Sequence, residues 1–283
     1  MMPCPVCNSA ESKDYLFLQG YKYKKCGKCS LIFLEKVAPP EGAELYNNEY
    51  IEKRGHDATG SYIAKAKETT AAYYFSLLEK YATKGNVLEI GCSTGMALKA
   101  ARARGWNIYG IETNRAAVAI AQDLLKTDTI KSGYLTKDSF PDDFFSAVVM
   151  FDVIEHVKEP LELMNIIGKK LRPLGLVLLI TPNAGSLSAN ILKEKWPHLF
   201  PEHVCLYSRR SMYFLLNESG FKILRSGWAV KFINTDILRR HINCHPRVFL
   251  SAPLALFFKK AYFLDKIVFP FNIGEMYVCA QKQ

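Results

Sequence analysis

No apolar run in this sequence is long enough to cross a bilayer. The longest, residues 248–258, is broken by Ser251 and Pro253 and stopped by Lys259 and Lys260, well short of the roughly 20 residues a spanning helix needs. The start, Met1-Met2-Pro3-Cys4, has no basic stretch leading into an apolar core, so no secretory leader is expected and the expected location is cytoplasmic. Internal repeats and low-complexity tracts are lacking too. Acids are in short supply: 27 against 37 Lys and Arg, a net charge of +10. From Val204 onward there are twelve basic residues and only four acids. That excess is either a solvated basic face or a surface for phosphate-bearing partners.

A disulfide scaffold is not indicated either. Of eight cysteines, Cys92, Cys205, Cys244 and Cys279 are scattered, and disulfide frameworks belong to short secreted chains. The other four form Cys4-Pro5-Val6-Cys7 and Cys26-Gly27-Lys28-Cys29, with eighteen residues between the pairs. Two such pairs supply the four thiolates of a closed tetrahedral zinc site, whose metal stabilises a fold and leaves no position for chemistry. Asn8 and Gly27 are the residues expected to take positive φ in the two turns. A redox pair is the alternative.

With 283 residues the chain can hold one large α/β domain and an appended module. The expected division is a ribbon over 1–36, a linker and helical cap over 37–84, and the main domain over 85–283 with an insertion near 184–270. A helix is predicted over 61–81, where Tyr73, Tyr74, Leu77, Leu78 and Tyr81 recur at helical spacing. Short apolar runs then alternate with helical patterns: strands over 87–90, 107–111, 145–151 and 176–181, helices over 96–104, 115–125 and 161–171. Later strands are predicted over 221–228 and 276–281. Alternation of this kind implies a parallel sheet covered by helices on both faces.

The most informative segment runs from Asn86 to Leu98. Its strand enters a turn, Gly91-Cys92-Ser93-Thr94-Gly95, that opens a helix, and small residues there let a ligand approach the backbone. An acid 23 residues beyond Glu89, Glu112, closes the next strand, where a carboxylate accepts both ribose hydroxyls of an adenosine group. The spacing Gly91-x-Ser93-x-Gly95 is shorter than G-x-G-x-x-G. Glu89 would also repel a pyrophosphate but suits a cofactor with a cationic amino-acid end.

On these residues the chain resembles class I S-adenosylmethionine (SAM) methyltransferases, in the broad group that includes the ubiquinone-biosynthesis O-methyltransferases. The resemblance is carried by residues 87–95, 110–112, 145–160 (FSAVVMFDVIEHVKEP) and 171–183 (LRPLGLVLLITPN). Pro201-Glu202-His203, Tyr207-Ser208 and Gly220-Phe221 add to it. It implies a Rossmann-like seven-stranded sheet with an antiparallel last strand at 276–281. It also implies that Glu89, Gly91 and Cys92 hold the methionine end of SAM, that Glu112 and Thr113 hold the ribose, and that Tyr134 and Leu135 flank the adenine. Phe151 and Asp152 would lie beside the sulfonium. Core packing is the plain alternative for Tyr134, Leu135 and Phe151. Ser93 stands where the family usually has glycine, and a side chain this small should still fit.

Methyl transfer asks the protein to position the acceptor and, for a hydroxyl, to take its proton. His156 follows the fourth strand at the ligand-binding edge, and His203 is the second candidate base. His56, His198, His241 and His245 have no comparable context. No Asn-Pro-Pro-aromatic sequence follows the fourth strand, which favours a hydroxyl or carbon acceptor over an adenine or cytosine amine. The expected acceptor is a small or glycan-type molecule, such as a phosphate-bearing sugar. Ribbons like this one precede both sugar C-methyltransferases and ribosomal-RNA methyltransferases, so a nucleic-acid acceptor is the first rival. A non-catalytic adaptor is the second. Residues 248–269, rich in Phe, Leu and Lys, fit either a lid over the acceptor or contact with an anionic membrane surface.

Overall fold

A computed structural model describes residues 2–36, 62–244, 267–272 and 274–283. The chain opens with three short strands, β1 (Ser12–Leu18), β2 (Tyr21–Cys26) and β3 (Ile32–Leu34). Helix α1 (Tyr62–Leu78) precedes an alternating series: β4 (Asn86–Ile90), α2 (Met96–Ala103), β5 (Asn107–Glu112), α3 (Arg115–Leu125), β6 (Ile130–Ser132), β7 (Phe145–Phe151), α4 (Pro160–Lys170) and β8 (Leu171–Pro182). There follow α5 (Leu187–Leu192), β9 (Cys205–Leu206), α6 (Arg209–Glu218), β10 (Phe221–Trp228), β11 (Lys231–Ile233), α7 (Thr235–Cys244), β12 (Phe269–Phe271) and β13 (Glu275–Lys282).

Local chemistry sets several boundaries. Asn114 caps α3 by accepting the N–H groups of Ala116 and Ala117, and Ser208 and Ser211 form a reciprocal capping box at α6. Pro160 occupies the first turn of α4, where its missing N–H costs no helical bond. Strand β8 begins five residues before the expected 176, pairing Leu171 with Phe145. Arg172 and Pro173 had interrupted the apolar pattern there.

Seven strands form the central sheet in the order β10-β13-β8-β7-β4-β5-β6. β4, β5, β6, β7 and β8 run parallel. β13 is antiparallel to both β8 and β10, so the expected antiparallel last strand is present. Alternate residues along each strand face opposite cores. Val87, Ala147, Val149, Leu178 and Cys279 pack against α1, α2 and α3. Leu88, Val148, Met150, Leu179 and Val278 belong to a second core with residues of α4, α6 and the N-terminal strands. The N-terminal sheet is not confined to the N-terminus: its order is β1-β2-β3-β9, so a strand from within the main domain completes it.

No helix of the described residues is long and apolar enough to cross a membrane. The tail over 248–266, with its lid or membrane reading, lies outside the described residues, as do His56 and His245.

Candidate active site

The parallel strands β4, β5 and β7 end on one edge of the sheet, where ligands bind in open α/β folds. After β4 the chain makes a turn with Gly91 at φ 73°, Ser93 at 46° and Gly95 at 84°. A Cβ on Gly91 would lie 2.5 Å from a methyl of Val153, so only glycine fits. Ser93 tolerates the left-handed region, and its N–H donates to Glu112 Oε2 at 2.9 Å. Glu112 Oε1 accepts the N–H of Asn114 at 2.9 Å and the hydroxyl of Thr113 at 3.2 Å. The N–H groups of Gly91 and Cys92 both donate to the carbonyl of Ile111, at 2.8 and 3.4 Å. Those two amide donors are therefore used within the sheet edge.

Glu89 is buried at the end of β4, and its Oε2 has no hydrogen-bond partner. Burial, reinforced by the nearby charge of Glu112, pushes its carboxyl well above the usual carboxylate range. A buried carboxylate oxygen left without a partner is costly unless a cation arrives to meet it. Burial likewise pushes the Cys92 thiol up, which makes it inert. Leu135 is buried in the core, whereas Tyr134 is exposed at 77%. Phe151 is half-buried, its ring 6.3 Å from that of Tyr74. Asp152, at φ 56°, leaves the tip of β7 and receives Lys231 Nζ at 2.7 Å.

The two candidate bases meet. The rings of His156 and His203 are 4.7 Å apart at an interplanar angle of 73°. Each donates from Nδ1 to a carbonyl, His156 to Glu202 at 2.8 Å and His203 to His198 at 2.7 Å. That fixes the tautomer in which Nε2 carries the lone pair. Glu155, wholly buried between them, accepts the hydroxyl of Thr181 at 2.9 Å. Its other oxygen, without a hydrogen-bond partner, lies 3.9 Å from His203 Nε2. Burial first, and the charge of Asp152 second, raise the Glu155 carboxyl to about 8. Ligand atoms of Glu155, His156 and His203 lie within 4.8 Å of one another, a donor set that a divalent cation could also take.

Sequence reasoning missed three members of this neighbourhood. His198, set aside above, stacks on His203 with centroids 6.5 Å apart and approaches Glu275 Oε1 at 3.9 Å. Lys231 bridges Asp152 and Glu275, at 2.7 and 2.6 Å. Burial alone would lower its ammonium, but the two carboxylates outweigh it and raise it. Only the excess of basic residues hinted at Lys231, and that excess looked like surface.

The four N-terminal cysteines also converge. Cys4 Sγ is 3.5 Å from Cys29 Sγ, Cys7 Sγ is 3.4 Å from Cys26 Sγ, and all four sulfurs lie within 4.8 Å of one another. The Cys29 thiol's hydrogen bond is the main reason Cys4 drops to about 5. Asn8 takes positive φ as expected, but Gly27 does not. Ser30 does instead, at 65°, because in each pair the left-handed residue is the one that follows the second cysteine.

A family model described as a methyltransferase domain matches residues 62–226, and the chain belongs to that family. Among related sequences, a ubiquinone biosynthesis O-methyltransferase of Rickettsia akari is 24% identical over 41% of this chain and 46% of its own length. A probable S-adenosylmethionine-dependent methyltransferase of Mycolicibacterium smegmatis is 28% identical over 49% of this chain and 52% of its own. The chain thus spans about half the length of the curated relatives it matches. The crystal structure of a SAM-dependent methyltransferase from Archaeoglobus fulgidus shares the fold, with TM-score 0.52 and 15% identity, covering 83% of this chain and 100% of that one.

Proposed function

We propose that the protein transfers a methyl group from SAM to the oxygen or carbon of a small-molecule or glycan-type acceptor. The observation that carries this reading is the pair of carboxylates flanking the turn after β4. Glu89 Oε2 is buried without a hydrogen-bond partner, and the amino group of the cofactor's methionine end is a cation of the right kind to meet it. Glu112 stands at the tip of β5, where a carboxylate can take the ribose hydroxyls, with Thr113 beside it. Gly91, Cys92, Ser93 and Gly95 shape the floor of that cleft. Leu135 and Tyr134 border the adenine, and Phe151 and Asp152 the sulfonium.

SAM supplies an electrophilic methyl, and the chain's residues position the acceptor and remove its proton. His156 Nε2 takes the proton of a hydroxyl acceptor, with His203 beside it. The four N-terminal thiolates hold one structural zinc ion: the sulfur separations suit bonds of about 2.3 Å in a tetrahedral shell. The relatives named as ubiquinone biosynthesis O-methyltransferases favour a hydroxyl oxygen as acceptor, and the basic C-terminal third favours a phosphate-bearing sugar.

Labelled SAM offered to phenolic, nucleotide-sugar and RNA acceptors tests the reading. Label should reach one of the small acceptors, and His156→Asn should lower turnover by about 10²–10⁴-fold while leaving S-adenosylhomocysteine (SAH) affinity nearly intact. His203→Asn is the companion variant. Label on RNA with a steep salt dependence would establish the nucleic-acid rival, and failure to bind SAM or SAH at all would leave the adaptor. Turnover that depends on an added divalent ion, while the zinc content of the cysteine centre stays constant, would assign the proton-handling step to a cation on Glu155, His156 and His203.

A further inference from the structure

We infer that the cysteine module is a brace for the acceptor side of the active site, its third strand fixing the segment that carries His203. The inference rests on the proposed role of His203 and extends it to residues that touch no substrate.

The connection is direct and made by the backbone. β3 pairs antiparallel with β9, with Ile32 opposite Leu206 and Phe33 opposite Cys205. One residue further, Leu34 N–H donates to the carbonyl of Val204 at 3.1 Å. His203 is the next residue back, and the carbonyl of Glu202 before it receives His156 Nδ1. A strand of two residues cannot define its own geometry. Its position comes from what flanks it, and one flank is the ribbon.

Side chains reinforce the seam. Cys4, Tyr23, Leu31, Phe33, Cys205, Leu206 and Tyr207 are all buried in one core with Ile154 from the turn beside β7. Tyr207 OH reaches the carbonyl of Ile154 at 3.5 Å. Lys28, between the second pair of cysteines, lies 5.9 Å over the ring of Phe214 on α6. Among the described residues, the hydrogen bonds of the cofactor turn and the β5 tip, at Gly91, Ser93 and Glu112, stay within the main domain, and no backbone bond ties them to the ribbon. The ribbon should therefore govern the histidines and leave cofactor binding alone.

The opposing possibility is concrete. Beyond β9, Tyr207 bridges to Asn183, and its carbonyl accepts Ala184 N–H at 2.7 Å. If that anchor sufficed, the ribbon would be dispensable to His203. Loop positions held from one side only are drawn from the least stable part of a fold, so the two anchors make separable predictions.

Leu34→Pro removes the N–H that reaches Val204 and leaves all four cysteines. In the full chain with ¹⁵N-labelled histidine, the His203 Nδ1 proton, bonded to His198 and assigned by its loss in His203→Asn, is the readout. It should be protected in the wild type and lose protection by at least about tenfold in Leu34→Pro. Amides over 202–206 should follow it in hydrogen exchange. SAH affinity should stay within about twofold, which also reports that the main domain is folded. Cys26→Ser opens the ribbon by another route and should give the same pattern. An unchanged His203 signal in both variants, while 22–34 exchanges freely, would overturn the brace. That result would leave the base assignment intact, since His203→Asn tests it separately. A Leu34→Pro effect on turnover that multiplies that of His203→Asn, rather than merging with it, would also overturn the inference.

Discussion

Glu112 and Ser93 are tied by a 2.9 Å hydrogen bond from the serine N–H to the glutamate Oε2. One carboxylate at the tip of β5 thereby holds the turn after β4 in its left-handed conformation and also caps Asn114 N–H at 2.9 Å. The residue proposed to receive the ribose is therefore preorganised by the loop proposed to receive the methionine end. Glu112→Ala removes an acceptor from both amides as well as from the ribose. SAH affinity should fall by about 1.5–3 kcal/mol, the worth of charge-assisted bonds, and the melting temperature should fall with it. Calorimetric titration and thermal unfolding check this; unchanged affinity removes Glu112 from the cofactor site.

The cysteine centre predicts one zinc per chain after purification without added metal. Cys26→Ser should lose it, with exchange of the amides over 22–34, because a four-thiolate site has little structure without its ion. Elemental analysis of the protein and of Cys26→Ser decides. Zinc retained after loss of both Cys26 and Cys29 would contradict the assignment.

Glu155 predicts a pH dependence of stability. Its folded carboxyl, at about 8, lies above the ordinary value of an unfolded chain, near 4.3. Between those values the unfolded state releases a proton that the folded state keeps. This contribution is whole below about pH 4 and is lost as pH rises toward 8. Glu155→Gln, which keeps an oxygen for Thr181, should flatten the wild-type decline between pH 5 and 8 by a few kcal/mol at most. Denaturant unfolding of both proteins, at equal zinc content and with no other divalent ion added, measures it. Parallel curves would show that Glu155 ionises normally.

Legibility followed the range of the interactions. Most of β7, from Ala147 to Phe151, reads as an unbroken apolar run because the strand is central and covered on both faces. The alternating strands and helices are local patterns, and so are the two cysteine pairs. β9 left no trace, since two residues carry no period and their partner strand lies at the other end of the chain. Lys231 looked like surface charge because its pairing with Asp152 and Glu275 depends on β13 returning beside β8. His156 and His203 were each visible as motif residues. Their meeting, and the inclusion of His198, required the fold.

The central claim is that the unpartnered Oε2 of Glu89 meets the cationic end of SAM, and SAH titration in buffers of different ionisation enthalpy tests it most directly. Glu89 holds its proton to higher pH than an exposed carboxyl, so pairing with an ammonium group should expel it. Near pH 6, where an exposed glutamate is already ionised, wild-type binding should release protons, with an apparent enthalpy that varies with the buffer. Glu89→Gln should bind at least about tenfold more weakly and release none of them. SAH binding of equal strength and equal proton balance in wild type and Glu89→Gln, or no binding to either, would contradict the account.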